Sequence, residues 1–538
     1  MGRALSLQRR IVAACTLAVT FGAVTAAVAQ TVSSSQAAAA VDPYVVGQAL
    51  PPSEPGSTLL NLGLEEAIDI ALEHNLDLKA ARLRPPAADS QILAARAAFT
   101  PRVQGSYGYN NQARPNNSSI LDPTLSSVNT ITQTFNSGIN QTLAFHGAAY
   151  NVTFNNNRQG TNSLQTPRSP AYNASLTASF SLPLLAGFMT DNARATVKTT
   201  VIQRQIADVQ LTTRIENTRA SVRAAYWDLR QAIEQIEINQ RALDLANRLY
   251  QENRIKVEIG TMAPIDIVQS EAAVAQSEQT LEAARGAWQT AELNLKRYLA
   301  GGPADEVYRK TINPTERPVL TPQTVDIPAA VRTALEQRTD LVQSRKNIEI
   351  SRLNLEVSRD QTKPDLAFTT QYQLSGLGGP VRNVQQGQII STVPGGYVDA
   401  LGQIRSFDLP TWSMNFQFTY PLGMQAARAN YVRAQLQLDE SNATLEAQEL
   451  NVSAAVTTAG LAIENMRKQY LAAQKNREAQ ERNTEAEQTR FNVGMSTNFN
   501  VVQVQNTLTA ARLTELRALI SYLNAVADFE RAQRIGAS

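Results

Sequence analysis

One cysteine, Cys15, and two histidines, His74 and His146, are all that this 538-residue chain holds of the side chains that most often bind metals or act as thiol nucleophiles. Cys15 lies in an N-terminal leader, so disulfides and thiol chemistry are excluded from the mature protein. Two histidines far apart in sequence argue against a metal enzyme and against nucleophile–histidine machinery. Aromatic residues are few. No segment approaches the roughly 18 uninterrupted apolar residues that a membrane-crossing helix needs, so entry into a membrane requires strands. Charge of either sign is scarce in net terms. Removing the leader's Arg3, Arg9 and Arg10 takes the formal charge from +2 to −1, which gives no footing for nucleic-acid binding.

The leader reads as a secretory signal over residues 1–29. Three arginines precede a mostly apolar stretch, Ile11 to Val24, and Ala27-Val28-Ala29 fits the small-residue cleavage rule. Val12-Ala13-Ala14-Cys15 loosely matches a lipoprotein acylation box, but the apolar core follows the cysteine instead of preceding it. Residues 30–58 form a low-complexity segment.

What is present is a unit written twice. Shifted by 263 positions, Ala67–Tyr109 aligns without a gap on Ala330–Tyr372, with Ala71-Leu72-Glu73 on Ala334-Leu335-Glu336, Asp77-Leu78 on Asp340-Leu341 and Pro101 on Pro364. The copies span 59–300 and 329–534. Each predicts a helix, a proline and an alternating strand, then a second strand and a very long helix. A proline-rich linker over 301–328 joins them.

Period-two alternation marks strands near 101–110, 174–183, 365–375 and 411–420. In the last, Trp412, Met414, Phe416, Phe418 and Tyr420 oppose Thr411, Ser413, Asn415, Gln417 and Thr419. Runs of about ten residues suit a membrane barrel, although a soluble sheet with one wet face alternates too. A further hairpin is predicted at Phe135–Phe145 and Ala148–Phe154, turning at Gly147, in the first copy only and without a place in the scheme. Asn110–Thr130 and Gly376–Pro410 read as long polar or Gly/Pro-rich loops. Four strands per chain cannot close a membrane barrel, because unpaired backbone groups in hydrocarbon cost several kcal/mol each. Two chains would give a small filled barrel and three a channel.

The long helices are predicted at about 191–257 and 424–492. The first contains neither proline nor glycine and would run about 100 Å. Val222, Tyr226, Leu229, Ile233, Ile236 and Leu243 recur at three and four, with Gln240 filling one seam position, as do Val452, Val456, Ala459, Ile463, Met466, Tyr470 and Ala473, which implies supercoiling against neighbours. The shorter helices, Leu76–Phe99 with Pro264–Leu299 and Thr339–Thr362 with Asn498–Arg531, stack end to end beside them. Pro85-Pro86 predicts a break in the first.

Leu64-Glu65-Glu66-Ala67, Asp77-Leu78, Ala95-Arg96 with Pro101, Pro183-Leu184, Trp412 with Pro421-Leu422, and two hairpin tips carry a family resemblance. The tips read Ile259-Gly260-Thr261-Met262-Ala263-Pro264-Ile265-Asp266-Ile267-Val268-Gln269 and Val493-Gly494-Met495-Ser496-Thr497-Asn498-Phe499-Asn500-Val501-Val502-Gln503. In their order and duplication these residues resemble the TolC-type outer membrane efflux proteins (outer membrane factors). The resemblance implies a mixed α/β membrane protein. Its homotrimer would form a 12-stranded outer membrane β-barrel, four strands per chain, continued by an α-helical coiled-coil barrel in the periplasm. It also implies a passive exit duct for small toxic compounds or proteins in a tripartite efflux or type I secretion system. The partners would be a periplasmic membrane-fusion adaptor, an inner membrane transporter of the RND, ABC or MFS type, and outer membrane lipid, with no nucleic acid, cofactor or catalysis.

On that reading Ile259, Gly260, Thr261, Met262, Val493, Gly494, Met495 and Ser496 dock the adaptor, although the two glycines equally serve to close the hairpins. Asp266, Gln269, Asn500 and Gln503 occupy matched positions where relatives narrow the tube. Only Asp266 is charged, and a plain solvated helix face is the competing reading. A periplasmic coiled-coil adaptor or structural protein without a barrel is the alternative function. It accounts for the long helices but not for alternating strands at fixed places in both copies. An outer membrane hydrolase lacks any assembled nucleophile, base or metal cluster in the sequence.

Overall fold

Prolines and glycines punctuate the chain into elements that are few and long. The computed structural model describes residues 47–52, 58–116, 126–385 and 388–535. The expected leader at 1–29, with Cys15, lies outside the described residues.

The described chain opens with strand β1 (Thr58–Leu62) and helices α1 (Leu64–His74), α2 (Leu76–Ala81) and α3 (Arg84–Arg96). The break expected from Pro85-Pro86 falls at Arg82-Leu83. Both prolines sit in the first turn of α3, where their missing N–H groups go unused. Asn75 caps α2, its Oδ1 accepting from Leu78 N at 3.0 Å. Four strands follow: β2 (Arg102–Pro115), β3 (Ser127–Thr142), β4 (Ala149–Thr161) and β5 (Ala171–Pro183). Then come α4 (Asn192–Glu258) and α5 (Ile265–Leu299). Asp191 starts α4, accepting from Arg194 N at 2.7 Å and from Arg194 Nε at 2.6 Å.

The linker contains β6 (Lys310–Pro314), and α6 (Ile327–Gln337) and α7 (Thr339–Asp360) follow it. Next are β7 (Asp365–Gly378), the short pair β8 (Val381–Gln385) and β9 (Gln388–Val393), α8 (Tyr397–Arg405) and β10 (Pro410–Thr419). The chain ends with α9 (Gln425–Asn492) and α10 (Asn498–Arg534).

The strand count differs from the four expected. One antiparallel sheet holds six strands in the order β10-β7-β5-β4-β3-β2. The hairpin without a place is β3–β4, inserted between β2 and β5. Its alternation is diluted because Thr, Asn and Gln occupy both faces, leaving only Ile131, Phe135 and Ile139 on one strand and Tyr150, Val152 and Phe154 on the other as the apolar set. For the same reason β2 runs on to Pro115 through Asn110, Asn111 and Gln112, which read as loop. The Gly/Pro-rich segment after Gly376 is likewise not a bare loop, since it holds β8, β9 and α8. Glycine is needed there: a Cβ on Gly376 would lie 2.0 Å from the Ala400 carbonyl oxygen, and one on Gly378 equally close to that of Gly396.

Register keeps the two faces apart across all six strands. Val103, Ile139, Val152, Ala178, Tyr372 and Trp412 form one apolar rung, and Gln104, Gly138, Thr153, Thr177, Gln373 and Thr411 a polar one. Among the described residues no helix is long and apolar enough to cross a membrane.

Each long helix is flanked by two short ones. α3 and α5 pack along α4, and α7 and α10 along α9. At 67 and 68 residues, α4 and α9 each extend about 100 Å. Around the middle, Ala330 and Ala334 of α6, Leu341 of α7, Val452, Val456 and Ile463 of α9, and Tyr522 and Phe529 of α10 form a buried cluster. Each fully buried large side chain there contributes about 1.5–3 kcal/mol. Gly460 lets α6 approach α9, since a Cβ on it would meet Ile327 at 2.8 Å. On the other side β1 and β6 pair in parallel. Tyr226 of α4, buried beside them, donates to the Leu62 carbonyl and accepts from Glu316 N, both at 3.0 Å. Burial pushes its phenol above the ordinary value. The buried Arg230–Glu234 pair (2.8 Å) holds the Ala49 backbone, with Arg230 donating to its carbonyl and Glu234 accepting from its N–H, each at 3.1 Å.

Candidate functional site

The helix-to-helix turns at the far ends of α4 and α9 have one geometry. Gly260 (φ 77°) and Gly494 (φ 78°) adopt the left-handed conformation that stops each helix, and a Cβ on either would meet nothing. The backbone is therefore what selects glycine here. In both turns the next residue folds back on the helix: Thr261 N donates to Lys256 O and Met495 N to Arg490 O, each at 2.8 Å. Thr261 Oγ1 adds a bond to the same Lys256 carbonyl at 2.9 Å, and Ser496 Oγ donates to Glu487 Oε1.

The fold brings the two turns together. Leu249 of α4, Phe491 of α9 and Val501 of α10 form a buried cluster joined by Met262 and Val502. Lys256 Nζ lies 4.2 Å from the Phe491 ring centroid, a cation–π contact. Met262 is half-buried against this cluster, and its flexible thioether fills the gap between the two helix pairs. The outward apolar set is Ile259 (68% exposed), Val493 (64%) and Met495 (79%), extended by Ile265 and Phe499.

A polar knot behind the turns is not visible to motif reading. Asn253, Ser270 and Asn498 are all buried. Asn253 Nδ2 donates to Ser270 Oγ and to Asn498 Oδ1, both at 2.7 Å, and Asn498 Nδ2 donates to the Asp266 carbonyl at 3.3 Å. Asn253 Oδ1 has no partner among the described residues. The available signal is positional: Asn253 continues the three-and-four spacing of Leu243, Ala246 and Leu249, and a polar residue in such a seam specifies register.

Asp266 and Gln269 lie in the first turns of α5, and Asn500 and Gln503 in those of α10. Asp266 is half-buried and the other three are exposed. Asn500 Nδ2 reaches Ser496 Oγ at 3.4 Å. Within one chain the four residues flank the knot without forming a closed site.

The sequence profile of the outer membrane efflux protein family matches residues 67–153, 149–301 and 330–532, most of the chain. No curated protein sequence matches. Solved structures do. The outer membrane channel CmeC of Campylobacter jejuni superposes with a TM-score of 0.61 at 17% identity, over 88% of this chain and 85% of that one. VceC, an outer membrane protein of Vibrio cholerae, gives 0.61 at 13% over 88% and 96%. The open state of the MtrE outer membrane channel of Neisseria gonorrhoeae gives 0.58 at 17% over 90% and 94%. At these identities the structures speak to the fold.

Proposed function

The chain belongs to the outer membrane efflux protein family, and from that membership we propose that it is the outer membrane exit duct of a tripartite efflux or type I secretion system. Three copies close one wall. Their strands sit in outer membrane lipid and their helices form a tube in the periplasm, after removal of the leader at 1–29. The two halves are copies of one unit, joined through 301–328. Ile259, Gly260, Thr261, Met262, Val493, Gly494, Met495 and Ser496 meet a periplasmic membrane-fusion adaptor, which links the duct to an inner membrane transporter. Three copies of Asp266 ring the narrow end, where Gln269, Asn500 and Gln503 are neutral. No catalysis is assigned, because the transporter supplies the energy.

One observation carries this reading. A sheet with one apolar face and two edges unpaired among the described residues stands on helices of about 100 Å, whose far ends expose Ile259, Val493 and Met495. A soluble coiled-coil adaptor has no use for such a sheet. The test places a photo-cross-linking residue at Thr261 and at Ser496 in the intact chain, expressed in its own cell. Covalent capture of a periplasmic adaptor at both positions is expected, with loss of capture in Val493→Asp/Met495→Asp. Efficient capture by a control position on the outer strands, with none at either tip, would remove the docking assignment.

A further inference from the structure

We infer that the hairpin β3–β4 is a third pair of wall strands, so that each copy gives six strands to the barrel and three copies close on eighteen. The count of three rests on the assembly proposed above. The place of the hairpin rests on three observations of its own.

The first is facial continuity. An appendage folded over a barrel has no reason to share its alternation. Yet Ile139 and Val152 complete the apolar rung from Val103 to Trp412, and Gly138 and Thr153 complete the polar rung beside it. A one-residue slip would reverse both faces.

The second is anchoring at the base and midway along the strands. At the helix-proximal end the His146 ring stacks on Phe188 (centroids 4.0 Å apart, planes 6° apart) and its Nδ1 lies 3.2 Å from Phe188 O. Gln141 Nε2 donates to Phe99 O at 2.7 Å. Midway along the hairpin the buried Asn156 of β4 accepts from the Tyr397 hydroxyl of α8 and donates to Phe135 O at 3.1 Å. α8 itself packs on β5 and β7. The hairpin is thus tied to both halves of the chain.

The third is arc length. Strands about 4.8 Å apart and tilted about 40° each take roughly 6.3 Å of a barrel's circumference. Six take about 38 Å. The four helical columns below, α4 and α9 with their stacked short partners, take about 32–40 Å at ordinary helix spacing. Six strands therefore fit over the helices they stand on without overhanging them.

The edges left over are β2 and β10, exposed along most of their length. In a six-stranded antiparallel sheet they run in opposite directions, so β2 of one copy continues the pattern beside β10 of the next. The occupant of each edge is thus a second copy of this chain. Barrels of about 16–18 strands keep an aqueous channel.

Two measurements on the full-length protein test this. In whole cells, disulfide formation is expected for Val152→Cys/Ala178→Cys, which face each other across β4 and β5. None is expected for Val103→Cys/Ala178→Cys, which two strands separate. The reverse pattern would place β2 against β5, expel the hairpin from the wall and overturn the inference. Electron cryo-microscopy of the detergent-extracted assembly should then count six wall strands per copy. Four per copy overturns the inference while leaving the assembly standing. A monomer in that preparation overturns the three-copy reading and the total of eighteen, and the cross-link pattern still decides where the hairpin lies.

Discussion

Single side chains decide more here than their types announce. Tyr226 reads in sequence as one more apolar residue in a helical seam, and its ring does pack as one. Its hydroxyl, however, joins two backbone segments 254 residues apart, donating to Leu62 O and accepting from Glu316 N. Tyr226→Phe keeps the ring and leaves both backbone groups without that partner. An expected loss of about 1–3 kcal/mol follows from orphaning buried polar groups. It should appear as a lower unfolding midpoint in detergent, with secondary structure unchanged; an unaltered midpoint would mean that water replaces the hydroxyl. Since burial raises the phenol's ionisation, this contribution is complete below the ordinary tyrosine value and is lost only as pH climbs beyond it. The tip glycines are legible from the outset, because a residue that ends a long glycine-poor helix has a strong backbone reason to be glycine. Met262 is not legible: sequence places it in the turn but cannot say which way a flexible side chain points.

At the scale of elements, legibility follows contrast between faces. Residues 411–420 declare a strand because every second residue is large and apolar. β3 and β4 carry Thr and Asn on both faces, so half of each strand gives no signal, and only pairing with β2 and β5 fixes their register. The long helices are clear from the absence of breakers. The seam of α4 is legible to Ile233 and then widens, with Ile238 buried and Ile236 only partly so. This is the level at which β1, β6 and α1 wrap the helix, contacts between segments far apart in sequence. The junction of α4, α5 and α10 depends on Asn253, whose two 2.7 Å bonds reach one residue on each of the other helices. Asn253→Ala should loosen that junction without unfolding the rest. Amide hydrogen exchange is expected to quicken at 253–270 and 498–505 and to stay unchanged in the cluster around Val456 and Tyr522. Equal protection in both regions would show that the apolar contacts of Phe491 and Val501 suffice.

For the molecule as a whole, the two faces of the sheet set its solvent. Phe416 is 70% exposed on the apolar face of β10, and its neighbour Gln417 is exposed on the polar one. An arginine facing lipid near mid-membrane costs about 2–4 kcal/mol, whereas one facing a water-filled lumen costs little. Phe416→Arg is therefore expected to lower the amount of membrane-embedded protein several-fold, and Gln417→Arg to leave it near normal, as measured in washed outer membranes. Equal tolerance of both would mean that neither face of β10 touches lipid. The parallel pair β1–β6 bears on a different question, the order of events in a growing chain. Asn61 and Asn313, bonded at 2.8 Å, are 252 residues apart. β1 is made early and must wait, unclasped, until the whole first half and the crossing segment have been synthesised. Closing so long a loop is slow relative to winding the helices within it. The waist should thus be the last seam to fasten, and a nascent chain stalled before Lys310 would hold finished helices around an open belt.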